Sequence, residues 1–93
     1  MKFKIKHEIK GRIRVRVIVK HMTVKEADLL EYALSNKEGI TSVRVNERTA
    51  DVVLCYQTDR APVLSYLRQC HIAEIEAPEL YLEHSGRALN NES

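Results

Sequence analysis

The 93-residue chain has no tryptophan, one phenylalanine and four tyrosines. Proteins that stack single-stranded nucleic acid interleave aromatic platforms with their cations. Here the cation-bearing positions of the N-terminal stretch have no aromatic residue among them, which disfavours that partner. Cysteine is scarce: Cys55 and Cys70 stand far apart in sequence, with no Cys-x-x-Cys. Such usage excludes a disulfide framework and fits free thiols in a reducing compartment, so the chain reads as cytoplasmic. No apolar run approaches the roughly 18–20 residues of a membrane span, and the charged N-terminus has no signal-peptide core. Only three glycines and two prolines occur, so no glycine-rich phosphate loop can form. Paired catalytic carboxylates and a Ser/His/Asp arrangement are missing as well, and the chain reads as non-enzymatic. Charge of one sign is also limited. Fifteen basic against thirteen acidic residues leave a net +2, too mild for a dedicated DNA binder.

What the chain does have is alternation. In "KFKIKHEIKGRIRVRVIVK", residues 2–20, odd positions are nearly all apolar and even ones nearly all charged, the period of a strand. A straight strand of that length would run about 60 Å, against a radius of gyration near 13 Å for a domain of this size. It must bend, and Gly11 is the residue suited to it. A strand over 2–8 and a principal strand over 12–19 follow. Val24, Ala27, Leu30 and Leu34 then recur at helical spacing. Thr23 with Glu26 forms a capping box, Met22 is placed to staple onto Ala27, and Gly39 supplies a left-handed stop. Two alternating runs, 40–46 and 50–56, flank a turn at 46–49 and read as a hairpin. A second helix begins at Thr58 or Asp59, with Pro62 in its first turn and Val63, Leu67 and Cys70 on one face. Residues 71–77, "HIAEIEA", read as a short last strand, and 78–93 as a polar linker or tail.

This order predicts an α+β fold: a ferredoxin-like β-α-β-β-α-β sandwich with an antiparallel sheet, two helices on one face and an extra N-terminal strand. One domain occupies 1–77. The 12–19 strand is central, with Glu74 and Glu76 beside it on one side and Asp51 on the other. On this placement the basic stretch is first a solvated sheet face, partly neutralised at home. Lys4, Lys6, Lys10, Arg12, Arg14 and Arg16 still outnumber those acids. The excess suits an acidic partner surface or anionic headgroups. The extra strand would extend the sheet or pair with another chain, a route to a homodimer.

Three segments, "HEIKGRIRVRV", "GITSVRVNERTADVVLCY" and "EHSGRALNNES", resemble the variant heavy-metal-associated domains at the N-terminus of bacterial metal-translocating P-type ATPases. The resemblance implies a cytoplasmic domain of an ATP-driven cation transporter, tethered to the membrane through its parent. A divalent transition metal would be the parent's cargo. It also implies a departure: the loop that holds a soft ion between two cysteines has Thr23 and Glu26 at those positions, with His21 where a Met precedes them. A hydroxyl and a capping carboxylate do not suit Cu(I) or Zn(II) as thiolates do. His21 and Glu26 are left as candidates for a harder ion, against the plainer reading of a surface His beside a helix cap. His7, on the apolar parity, is expected packed or at a sheet edge. Cys55, sharing parity with Asp51, is expected beside the basic strand, and Cys70 as a small apolar filler. The leading expectation is a non-catalytic regulatory or docking domain contacting the pump's other cytosolic domains or inner-leaflet lipids. The alternatives are a His/carboxylate metal sensor or carrier, and a stand-alone protein-interaction domain.

Overall fold

The computed structural model describes residues 1–76, in the order β1 Phe3–Ile9, β2 Arg12–Val17, α1 Val24–Ser35, β3 Ile40–Asn46, β4 Asp51–Tyr56 and α2 Arg60–Gln69, with a 3-10 turn at Ile72–Glu74. The four strands form one antiparallel sheet ordered β1-β2-β4-β3. Ile13, Val15 and Val17 of β2, Val45 of β3, and Val52, Leu54 and Tyr56 of β4 are buried in one cluster. Ala27, Leu30 and Leu34 of α1 and Val63, Leu64 and Leu67 of α2 join it, so both helices cover the same face. This is the expected α+β architecture of a sheet with two helices on one side. The expected linker at 78–93, including the "EHSGRALNNES" segment, lies outside the described residues.

Two expectations are corrected. Residues 71–77 supply no strand among the described residues; Ile72–Glu74 makes a single tight turn instead. The place beside β2 is taken by β1, which folds back on β2 as a hairpin about Lys10 and Gly11 rather than extending the sheet outward. Gly11 does more than bend the stretch: at φ 81° it lets the chain reverse between the paired Ile9 and Arg12. Contacts at both ends of α2 fix β1 there. Glu8 pairs with Arg60 at the start of the helix, and the Met1 nitrogen donates to the Arg68 carbonyl near its end at 2.7 Å. Glu74 and Glu76 therefore do not flank Arg12, Arg14 and Arg16.

β1 does not keep strict alternation. The register slips between Ile5 and His7, leaving Lys6 as the extra residue of a β-bulge. Because side chains alternate with period two, one extra residue exchanges the faces of everything after it. Phe3 and Ile5 lie on the helix side, opposite Val17 and Val15. Beyond the bulge, Glu8 takes the helix side opposite Ile13, and His7 and Ile9 turn to the other face opposite Arg14 and Arg12. The bulge thus delivers Glu8 to Arg60 and leaves Ile9 54% exposed. β2 ends at Val17, two residues before the expected limit.

The start of α1 is as expected. The Glu26 N–H donates to Thr23 Oγ1 at 3.1 Å, and the Thr23 N–H donates to Glu26 Oε1 at 2.9 Å. Met22 and Ala27 are both buried in the core, as a staple requires. The helix stops earlier than Gly39: Asn36 is its C-cap, and Gly39, at φ 84°, turns the chain into β3. Asp59 caps α2 by position but without a side-chain hydrogen bond.

Candidate functional site

The face of the sheet away from the helices carries no element among the described residues. Its composition follows from the strand register. One row across the sheet reads Ile9, Arg12, Cys55, Ser42; the next His7, Arg14, Val53, Arg44; the third Lys4, Arg16, Asp51, Asn46. Among the described residues, Lys4, Arg12, Arg14, Arg16 and Arg44 stand on one plane with a single carboxylate, Asp51. All five cations are exposed.

The electrostatics of this plane are uneven. Arg16 meets Asp51 in a two-pronged contact, Nε to Oδ1 at 2.9 Å and Nη2 to Oδ2 at 3.3 Å. The hydrogen bond from Arg16 holds the Asp51 carboxyl below its ordinary range. A bond from Thr49 and the charge of Arg14 act in the same direction, and partial burial opposes them. The same pair holds the Arg16 guanidinium above its ordinary value. Lys4 lies directly opposite Arg16 on the other side. Arg14 and Arg44 flank Val53 from adjacent strands, a separation of about 10 Å at ordinary strand spacing. Like charges set opposite one another on a sheet destabilise it, so Lys4 beside Arg16 does not favour folding. The plane is suited to gripping anions spaced along an acidic surface, each arginine offering a planar fork to a carboxylate.

Of the residues expected on the basic face, Lys4, Arg12, Arg14 and Arg16 are there, while Lys6 sits in the bulge and Lys10 in the β1–β2 turn. Cys55 faces the basic strand opposite Arg12, as its parity implies. His7 lies on the edge strand but on the open face, opposite Arg14, because of the bulge. Arg44 was not among the expected residues; only its pairing with Val53, itself paired with Arg14, places it there. Its parity with Ser42 and Asn46 was the available signal. Cys70 ends α2 half-buried, and that burial raises its thiol pKa.

Glu26 accepts from the Thr23 backbone within the cap, and His21 is exposed in the preceding loop. Among the described residues no group of three or more His, Cys, Asp or Glu side chains gathers where it could hold a metal ion. Thr23 and Glu26 are committed to backbone N–H groups and offer no thiolate, so the donor set does not fit a soft cation. No described helix is long and apolar enough to cross a membrane.

Residues 2–70 match the family model described as "Heavy metal associated domain 2". Comparison with curated proteins and with solved structures returned no match.

Proposed function

This chain belongs to the heavy metal associated domain 2 family, and we propose that it serves a cation-transporting P-type ATPase as a non-catalytic docking and regulatory domain. Its open sheet face would engage an acidic surface on the pump's other cytosolic domains. The observation that carries the reading is the plane of Lys4, Arg12, Arg14, Arg16 and Arg44, with Asp51 as its one carboxylate. A metal-handling role then belongs to the parent, whose cargo is a transition-metal cation, while this domain docks and transmits rather than carries. The commitment of Thr23 and Glu26 to a hydrogen-bonded helix cap, with no thiolate between them, supports that division.

The stand-alone alternative, a homodimer through β1, is disfavoured by charge. An antiparallel second copy would bring Lys2, Lys4 and Lys6 of two edges together, and edge lysines oppose strand pairing.

Replacing Arg12, Arg14 and Arg44 with Gln tests the proposal. These three are chosen because Arg16 is engaged by Asp51. The variant keeps its fold, loses salt-dependent binding to the isolated cytosolic domains of the parent pump, and alters ATP turnover of the intact pump. Unchanged binding and turnover would overturn it. So would a reading frame that does not continue into a pump. Titration with Zn(II), Mn(II), Co(II) and Cu(I), followed by amide NMR, addresses the metal-sensor reading; shifts confined to residues 20–27 would replace the docking role with that one.

A further inference from the structure

The loop between β2 and α1 leaves two consecutive aliphatic side chains in water: Ile18 is 62% exposed and Val19 43%. Single exposed aliphatics are common on globular domains, so the surroundings of these two carry the inference. The Ile18 N–H donates to the Lys2 carbonyl at 3.0 Å, which holds Lys2 against the loop. Lys20 follows directly, and Lys2, Lys4, Lys20 and Lys25 are all exposed. Lys25 stands in the first turn of α1, where the positive end of a helix favours an acid, so its charge does not serve the helix. The β3–β4 turn closes on the same end of the sheet through the Val17 N–H and the Ala50 carbonyl, at 2.9 Å, and adds exposed Arg48. The acids nearby are engaged: Asp51 by Arg16, Glu26 by the Thr23 N–H, and Glu47 in an interaction of its own.

We propose that this end of the domain docks on an anionic bilayer surface. Ile18 and Val19 enter the interfacial layer, and Lys2, Lys20 and the neighbouring cations meet the headgroups. An acidic protein surface would need only the cations. Two exposed aliphatic side chains, bonded through the backbone to Lys2 and followed by Lys20, are where apolar burial and headgroup attraction act together. The surface shares Lys4 with the open sheet face but not Arg12, Arg14 or Arg44, so the serine pair and the arginine pair tell the two proposals apart.

Co-sedimentation of the 93-residue chain with phosphatidylcholine vesicles, with and without phosphatidylglycerol, tests this, with circular dichroism confirming the fold of each variant. The chain partitions onto the phosphatidylglycerol vesicles and not onto pure phosphatidylcholine. Ile18→Ser with Val19→Ser lowers that partitioning by at least about tenfold. Lys2→Gln with Lys20→Gln lowers it by about tenfold or more. Arg14→Gln with Arg44→Gln has a smaller effect than either pair. Partitioning that ignores phosphatidylglycerol, or that survives the serine pair, overturns the proposal. Loss with the Arg14 and Arg44 pair but not with the serine pair would make lipid the ligand of the open face, and would overturn both this proposal and the protein-docking one.

Discussion

Gly39 joins the end of α1 to β3 at a point where no side chain has room. Its φ of 84° lies in the left-handed region, and a Cβ added there would stand 2.6 Å from Thr58 Cβ and 2.7 Å from Thr58 Cγ2. The position cannot simply swing away, because the Gly39 carbonyl accepts the Gln57 N–H at 2.7 Å, one residue before Thr58. Gly39→Ala therefore meets two costs. The left-handed conformation of an alanine costs about 1–2 kcal/mol, and relieving the contact with Thr58 about 1–3 kcal/mol more. Together they amount to about 2–5 kcal/mol, which for a domain of this size lowers Tm by at least about 8 °C. The two costs separate in a double-mutant cycle. Thr58→Gly removes the opposing side chain, so the double variant recovers the steric part, a coupling of about 1–3 kcal/mol, and retains the conformational part. Thermal and urea denaturation followed by circular dichroism read both quantities. A Gly39→Ala variant within about 2 °C of the parent chain, or a coupling indistinguishable from zero, would refute the reasoning.

Thr23→Ala removes one half of the reciprocal cap on α1 and lowers stability by about 1 kcal/mol, measurable by urea denaturation; no change would mean the cap contributes nothing to stability. Asp51→Asn tests the acid branch of the pH profile. The folded-state pKa of Asp51 is depressed chiefly by Arg16. Its contribution is therefore fully present above the unfolded value of about 3.9 and lost as pH falls through the lower folded value. The Tm difference between Asp51→Asn and the parent chain accordingly closes in strong acid, and a difference that persists there would count against this assignment. Glu31 Oε1 accepts the Val45 N–H at 2.9 Å on the edge strand β3. Glu31→Ala removes that acceptor and lowers stability by about 0.5–1.5 kcal/mol, measured by urea denaturation; an unchanged midpoint would count against the bond's role.

The helices were legible because their signals are local. Thr23 and Glu26 are three positions apart in sequence, and their hydrogen bonds form as a capping box requires. The hairpin of β3 and β4 could be read for the same reason, from β-branched runs on either side of a polar turn. The last strand could not. "HIAEIEA" has the alternation of a strand, but a strand exists only where a neighbour offers its N–H and C=O groups. The free side of β2 was already held by β1, anchored through Glu8 to Arg60 and through Met1 to Arg68. The sequence contacts that decide this competition span more than fifty residues, beyond the reach of any pattern in a short window.

The candidate site divides in the same way. Its cations were visible as the even positions of β2, and their parity made them one face. Removing Glu74 and Glu76 from beside them changed the balance from a partly neutralised strand to a plane with one carboxylate. Arg44 joined that plane through its register with Val53, and Lys6 left the ladder at a bulge that also reversed His7, Glu8 and Ile9. Alternation, capping and the missing Cys-x-x-Cys were determined by the sequence alone, since each depends on residues within a few positions of one another. Which strands are neighbours, which charges face one another and which face stays open were decided by the tertiary structure, because pairing is a choice among distant partners competing for the same backbone edge.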